Sequence, residues 1–129
     1  YATYLPCYHY INIFCIFQMR LDPQVELAPS NMVPLEAFTT DDHTESEYVY
    51  YQSEDEKTIC GIWKCAPCLE EEAWPVEELM TVISGVVNVT YKSNGITETY
   101  RAGDSFYLPK GEDVIWEITQ TLTKFFMRG

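Results

Sequence analysis

An acidic run leads into a stretch that has the alternating pattern of a β-strand. Carboxylates occupy residues 70–72 and 77–78, and Glu78 shares one face of the predicted strand with Met80. A carboxylate on a buried strand face can serve as a general acid or base. In the structural alternative, Glu78 pairs with Lys124 or Lys64, or accepts backbone hydrogen bonds. The acidic run as a whole could form an all-oxygen metal site, but such runs are usually solvated, so we expect a solvated face.

Aromatic residues suited to a pocket wall stand at three places in the chain. Trp63, Tyr107 and Trp116 could stack on a small ligand, and Tyr107 would add a hydroxyl. The same side chains also suit the core of a small barrel. Lys124 could hold an anionic ligand, or it could offset Glu117 at the rim of the sheet.

The chain has five cysteines, and two of them form the motif Cys65-Ala66-Pro67-Cys68. An odd count argues against a disulfide framework and favours a reducing cytoplasm. The motif precedes an acidic run, which disfavours a reactive thiolate, and it has no second pair nearby for zinc. We therefore expect two ordinary cysteines at the end of a strand.

Short β-rich runs separated by glycine turns predict an all-β fold. Asn94-Gly95 lies between two such runs and is typical of a hairpin turn, because both residues tolerate positive φ. Two packed sheets closed into a small barrel would bury the apolar faces of these runs. The predicted strands cover residues 48–52, 58–65, 78–84, 86–91, 97–101, 105–108, 113–118 and 122–127. Gly85 and Gly103 are expected to let the chain reverse, and residues 119–121 form a short connection.

Two spaced motifs give the chain a family resemblance. Glu78 followed after six residues by Gly85, and Gly103 followed by Pro109 and Gly111, resemble the two cupin motifs. With Trp116, Glu117 and Lys124, the pattern over residues 48–128 is similar to the ureidoglycine aminohydrolase-type cupin domain and to the ethanolamine-utilisation cupin. The resemblance implies a cupin double-stranded β-helix, a jelly-roll barrel whose interior would receive Glu78, Met80, Val114 and Trp116.

The resemblance also implies where a metal would bind. Metal-dependent cupins place two histidines just before the motif-one glutamate and one after the second motif. These positions hold Glu72 and Trp74, or Glu71 and Ala73 in the longer spacing, and Val114. The two histidines of the chain, His9 and His43, both precede the barrel, so three-histidine ligation from the barrel is impossible. Imidazole is the ligand that transition metals prefer at such a site, so we expect neither a metal nor another cofactor.

The chain divides into three predicted segments. Residues 1–18 contain no Lys, Arg, Asp or Glu and form an apolar extension whose place in the mature protein is open. Residues 19–47 carry three prolines and several acids, which indicates an irregular arm. This arm could lie along the barrel, anchored by Leu35, Ala37 and Phe38, or it could be a partly ordered linker. Residues 48–129 form the cupin barrel.

The net charge of −12 disfavours nucleic acid and anionic membrane surfaces as partners. The first hypothesis is a metal-independent domain that binds a small metabolite, a degenerate relative of an aminohydrolase. One alternative is an active ureidoglycine aminohydrolase-like enzyme on a small nitrogenous metabolite, and another is a structural or sensory module. We expect a homodimer, since exposed sheet edges favour pairing. The candidate ligand-binding residues are Trp63, Glu78, Met80, Tyr107, Val114, Trp116 and Lys124, with Glu78 as the candidate catalytic group.

Overall fold

The computed structural model describes residues 20–33, 35–38 and 44–129. The apolar extension predicted for residues 1–18 lies outside the described residues, as do His9 and His43. Within the described part, no helix is long and apolar enough to cross a membrane.

Eight antiparallel strands account for most of the described chain, and one 3-10 turn (Leu35–Ala37) lies between the first two of them. The strand order is β1-β2-β3-β8-β5-β6, with β4 also paired to β8 and β7 to β5. The strands are β1 (Ala28–Pro29), β2 (Glu45–Gln52), β3 (Ile59–Cys65), β4 (Cys68–Ala73), β5 (Glu78–Tyr91), β6 (Ile96–Arg101), β7 (Ser105–Leu108) and β8 (Asp113–Arg128).

The two long strands β5 and β8 hold the barrel together, because each belongs to two sections of the sheet. The first half of β5 pairs with β7 and with the end of β8, and its second half pairs with β6 and with the start of β8. Likewise β8 pairs with β4 through its first half and with β3 through its second. The sheet therefore folds over itself into a jelly-roll barrel, which confirms the predicted all-β cupin fold.

Gly85 does not reverse the chain as the sequence predicts, because β5 continues through it and only bends there. Its φ is +90°, and a Cβ atom there would lie 2.1 Å from the Thr121 carbonyl oxygen of β8. Only glycine combines that dihedral angle with so close an approach of two backbones. The register between β5 and β8 shifts on both sides of it, so this glycine lets both strands turn the corner together.

The structure corrects two further sequence predictions. Residues 119–121 do not form a connection: β8 continues through them, and Gln120 pairs with Val86 of β5. The acidic run is solvated only in part, because it lies in β4, where Glu71 is exposed but Glu70 is only 1% exposed. Alternation along β4 turns Glu70 into the barrel, opposite Trp116 of β8.

The arm before the barrel lies against it. Strand β1 pairs with β2, Ala37 is buried, and Phe38 forms an isolated bridge to Glu70. Met32 and Val33 pack on the same core cluster. These two side chains cover the end of the barrel where the candidate site lies.

Candidate functional site

A small cavity opens inside the barrel, between the arm and strands β3, β4, β5 and β8. Its free volume is about 30 Å³, room for one or two water molecules. Its wall combines three indoles with several charged side chains. The lining residues are Met32, Val33, Trp63, Glu70, Glu72, Trp74, Pro75, Glu78, Trp116, Lys124 and Arg128.

A buried ion pair lies at the centre of the wall. Lys124 Nζ is 2.9 Å from Glu78 Oε2, and the two side chains are 6% and 3% exposed. Lys124 Nζ also donates to Met80 Sδ at 3.0 Å. Arg128 Nε lies 3.3 Å from the other oxygen, Glu78 Oε1. Of the roles open to Glu78, the structure favours the ion pair with Lys124, while Lys64 is exposed on the outer face.

All three tryptophans of the chain surround the Lys124 ammonium. Nζ lies 4.9 Å from the ring centroid of Trp63, 4.8 Å from that of Trp116 and 5.9 Å from that of Trp74. These are cation–π distances, and desolvated contacts of this kind are worth about 2 kcal/mol. The ammonium is thus held by three indole faces as well as by one carboxylate.

The three indole N–H groups differ in their partners. Trp63 Nε1 donates to Glu45 Oε1 at 2.8 Å, and Trp74 Nε1 donates to Glu78 Oε1 at 3.2 Å. Trp116 Nε1 is buried and has no hydrogen-bond partner in the described part of the protein. Since buried indole N–H groups are usually paired, Trp116 carries an unused donor at the cavity.

Glu70 faces Trp116 across paired strands and is the second incompletely bonded group of the wall. Its Oε2 atom is buried and makes no hydrogen bond within the described residues. Burial raises the pKa of Glu70 to about 10; hydrogen bonding and charge from Glu72 and the nearby Cys68 add to the shift, and Lys124 opposes it. This shift favours the neutral form of Glu70.

The residues at the family's metal positions do not fit a metal ion. Val114 has a hydrocarbon side chain, and Trp74 uses its N–H to donate to Glu78. Both Glu78 oxygens already face cations of the protein. No group of three or more potential ligands is arranged for a metal among the residues described. The donor set is indole, carboxyl and ammonium, which is not a set that transition metals prefer.

The structure brings together four of the seven predicted ligand-binding residues, Trp63, Glu78, Trp116 and Lys124. Met80 and Val114 are fully buried in the core beside the cavity. Tyr107 is 51% exposed and lies on the outside, where its hydroxyl donates to Glu77. The prediction for Tyr107 fails because its neighbours Phe106 and Leu108 take the inward positions of β7.

Three residues of the wall, Glu70, Trp74 and Arg128, were not predicted as site residues, although the sequence holds a signal for each. Glu70 stands two residues before Glu72, so strand alternation places both on one face. Trp74 occupies a position where metal-dependent cupins have a histidine. Arg128 is the second neighbour of Phe126 on the inward face of the last strand.

The Cys65-Cys68 pair lies at the junction of β3 and β4. Both side chains are buried thiols, and their sulfur atoms are 3.7 Å apart. The hydrogen bond with Cys68, together with burial, raises the pKa of Cys65. The pair has the character of ordinary buried cysteines, as the sequence predicts.

The jelly roll and its central motif glutamate define a cupin domain. Residues 52–126 match the family described as the EutQ-like cupin domain. The chain belongs to this family. No curated protein matches the chain.

Three solved structures illustrate the likeness in fold. A DUF861-family protein of unknown function from Pseudomonas syringae has a TM-score of 0.78 at 22% identity, over 84% of this chain and 46% of that one. The chain thus spans about half of that protein's length. Clostridium difficile EutQ has a TM-score of 0.63 at 13% identity, over 82% and 81% of the two chains. The polyketide cyclase RemF from Streptomyces resistomycificus has a TM-score of 0.60 at 13% identity, over 87% of this chain and 79% of that one.

Proposed function

We propose that this chain is a metal-independent cupin domain that binds a small metabolite inside the barrel. One observation carries the proposal: Glu70 and Trp116 line the same cavity, and each has a buried polar atom, Glu70 Oε2 and Trp116 Nε1, without a partner within the described chain. A buried polar atom without a partner costs about 1–3 kcal/mol of stability. A bound molecule that reaches both atoms would recover that free energy.

The size of the cavity sets a condition on binding. A free volume of about 30 Å³ is smaller than any metabolite. Met32 and Val33 of the arm line the cavity, and two apolar side chains are easier to displace than the paired strands of the barrel. We therefore propose that a ligand enters by moving these two side chains outward.

A thermal-shift screen of small metabolites, run with and without a chelator, tests the proposal. A ligand at one hundred times its Kd stabilises the folded chain by about 2.7 kcal/mol. The stabilisation should survive the chelator, weaken in Glu70→Gln and remain in Glu117→Gln, whose carboxylate points outward from the same sheet. A screen without any stabilising compound, or stabilisation that the chelator abolishes, would contradict the proposal.

The ureidoglycine aminohydrolase-like enzyme remains the alternative function. It would act on a small nitrogenous metabolite through a metal, and the donor set described above disfavours that metal. Metal-dependent turnover of such a compound by the purified protein would favour the enzyme over the binding domain.

We also propose that the chain forms a homodimer in the cytoplasm. Leu79, Tyr107 and Met127 are adjacent on strands β5, β7 and β8, and each is 43–51% exposed. An exposed apolar row across three strands is typical of a surface that another chain covers.

A further inference from the structure

We propose that Trp116 and Arg128 form a donor site, beside Glu70, that binds the carbonyl or carboxylate oxygen of a small ligand. This inference rests on the proposed small-molecule function and names the chemical group that the cavity recognises.

Three buried polar atoms of the lining residues have no hydrogen-bond partner among the described residues: Trp116 Nε1, Arg128 Nε and Glu70 Oε2. Trp116 and Glu70 are each 1% exposed. Arg128 Nε lies 3.3 Å from Glu78 Oε1 as an ion pair, but it makes no hydrogen bond there. Two of these atoms can only donate, since indole and guanidinium nitrogens have no acceptor capacity.

The third atom, Glu70 Oε2, is an acceptor. A neutral carboxyl carries one O–H donor, and Glu70 shares that proton with the adjacent Glu72. The open donors at the cavity are therefore the N–H groups of Trp116 and Arg128.

The strand register places these groups around one space. Glu70 and Trp116 are paired residues on β4 and β8, and side chains at such positions have Cβ atoms about 5 Å apart. Arg128 follows on β8, beside Glu78 of the neighbouring strand. All three residues line the same cavity of about 30 Å³.

Charge favours an acceptor over a cation. Lys124 and Arg128 both face the cavity, and Glu78 pairs with both of them. Glu72 is the further carboxyl group of the lining, next to Glu70. An ammonium ligand would meet two cations at close range, whereas a carbonyl or carboxylate oxygen would meet donors. Preorganised donors of this kind stabilise oxygen atoms that carry partial or full negative charge.

The test follows the three indole N–H resonances of the wild-type protein by NMR while acetamide, acetate or ethylammonium is added. These probes have similar sizes and different charges. Hydrogen bonding of the probe oxygen should move the Trp116 N–H resonance downfield with acetamide and acetate and leave it in place with ethylammonium. The resonances of Trp63 and Trp74 serve as internal controls, because Glu45 and Glu78 already occupy their N–H groups. Loss of one resonance in Trp116→Phe assigns the signal.

Glu70→Leu should weaken acetamide binding about tenfold, as expected for one lost hydrogen bond. Glu117→Gln should bind acetamide like the wild type. Ethylammonium binding, or the absence of any Trp116 shift with both oxygen probes, would overturn the inference. If instead a screened metabolite binds in the cavity without moving the Trp116 resonance, the donor site is wrong and the small-molecule function stands.

Discussion

Lys124 and Glu78 form an ion pair that is almost fully removed from water, with exposures of 6% and 3%. Removing two charges from water is costly, and the attraction between them offsets this cost only with good geometry and further hydrogen bonds. Here the Glu78 carboxylate accepts a hydrogen bond from Trp74 Nε1, and three indole faces surround the Lys124 ammonium. The pair therefore depends on its partners far more than an exposed salt bridge would.

Replacing Lys124 with Met should lower the free energy of unfolding by about 3 kcal/mol, because it leaves Glu78 buried with only Arg128 as a counter-charge. The double variant Lys124→Met with Glu78→Gln should recover at least about 1 kcal/mol of that loss, measured by urea denaturation in a double-mutant cycle. If the two substitutions are simply additive, the pair is not coupled.

Glu70 predicts an unusual pH dependence of stability. Burial raises the pKa of Glu70 in the folded protein. At pH values between its pKa in the unfolded chain and its pKa in the folded chain, the folded state therefore binds more protons than the unfolded state. The free energy of unfolding should then fall as pH rises through this window, by up to about 1.4 kcal/mol per pH unit.

Denaturation of the wild type and Glu70→Gln between pH 5 and pH 8 checks this prediction. The amide of the variant would stay neutral, so the stability difference between the two proteins should grow in favour of the variant as pH rises. The charged or titratable groups that surround Glu70 are present in both proteins: Cys65, Cys68, Glu72, Glu78, Lys124 and Arg128. Among them Glu72 interacts with Glu70 most strongly, so the difference reports the titration of this pair. A pH-independent difference would show that Glu70 is ionised in the fold.

At the scale of elements, the crossing of β5 and β8 is the point on which the barrel depends. Gly85→Ala should destabilise the fold by more than about 2 kcal/mol, because strain from φ adds to a clash with the Thr121 carbonyl. Gly95→Ala is the matched control: its φ is +73° but no atom lies within 4 Å, so a loss of about 1 kcal/mol is expected. Equal losses in thermal denaturation would contradict this role of Gly85.

Most elements of the barrel follow from local sequence, and the hairpin at Asn94-Gly95 joins β5 and β6 as predicted. Alternation also placed Glu78 and Trp116 correctly inside. Local sequence could not reveal that Glu70 is buried, because its burial depends on Trp116, which lies far along the chain and pairs with it only in the folded sheet. The same holds for Arg128, which lies beside Glu78 only because β5 and β8 pair in the folded sheet.

At the scale of the whole molecule, the exposed row of Leu79, Tyr107 and Met127 predicts the interface of the proposed dimer. Light scattering at micromolar concentration should give twice the mass of one chain for the wild type and the mass of one chain for Leu79→Glu. Ile96→Glu changes an equally exposed apolar residue on β6 and should leave the dimer intact. A monomeric wild type would rule out the dimer, and a dimeric Leu79→Glu would place the interface elsewhere.

We propose that the barrel site works through indole, carboxyl and ammonium groups, without a metal. The most direct measurement is the metal content of the purified protein, determined by mass spectrometry after growth in medium supplied with manganese, iron and zinc. We predict far less than one metal ion per chain, with the same trace level in Glu78→Gln. One equivalent of a transition metal in the wild type that is lost in Glu78→Gln would contradict the account.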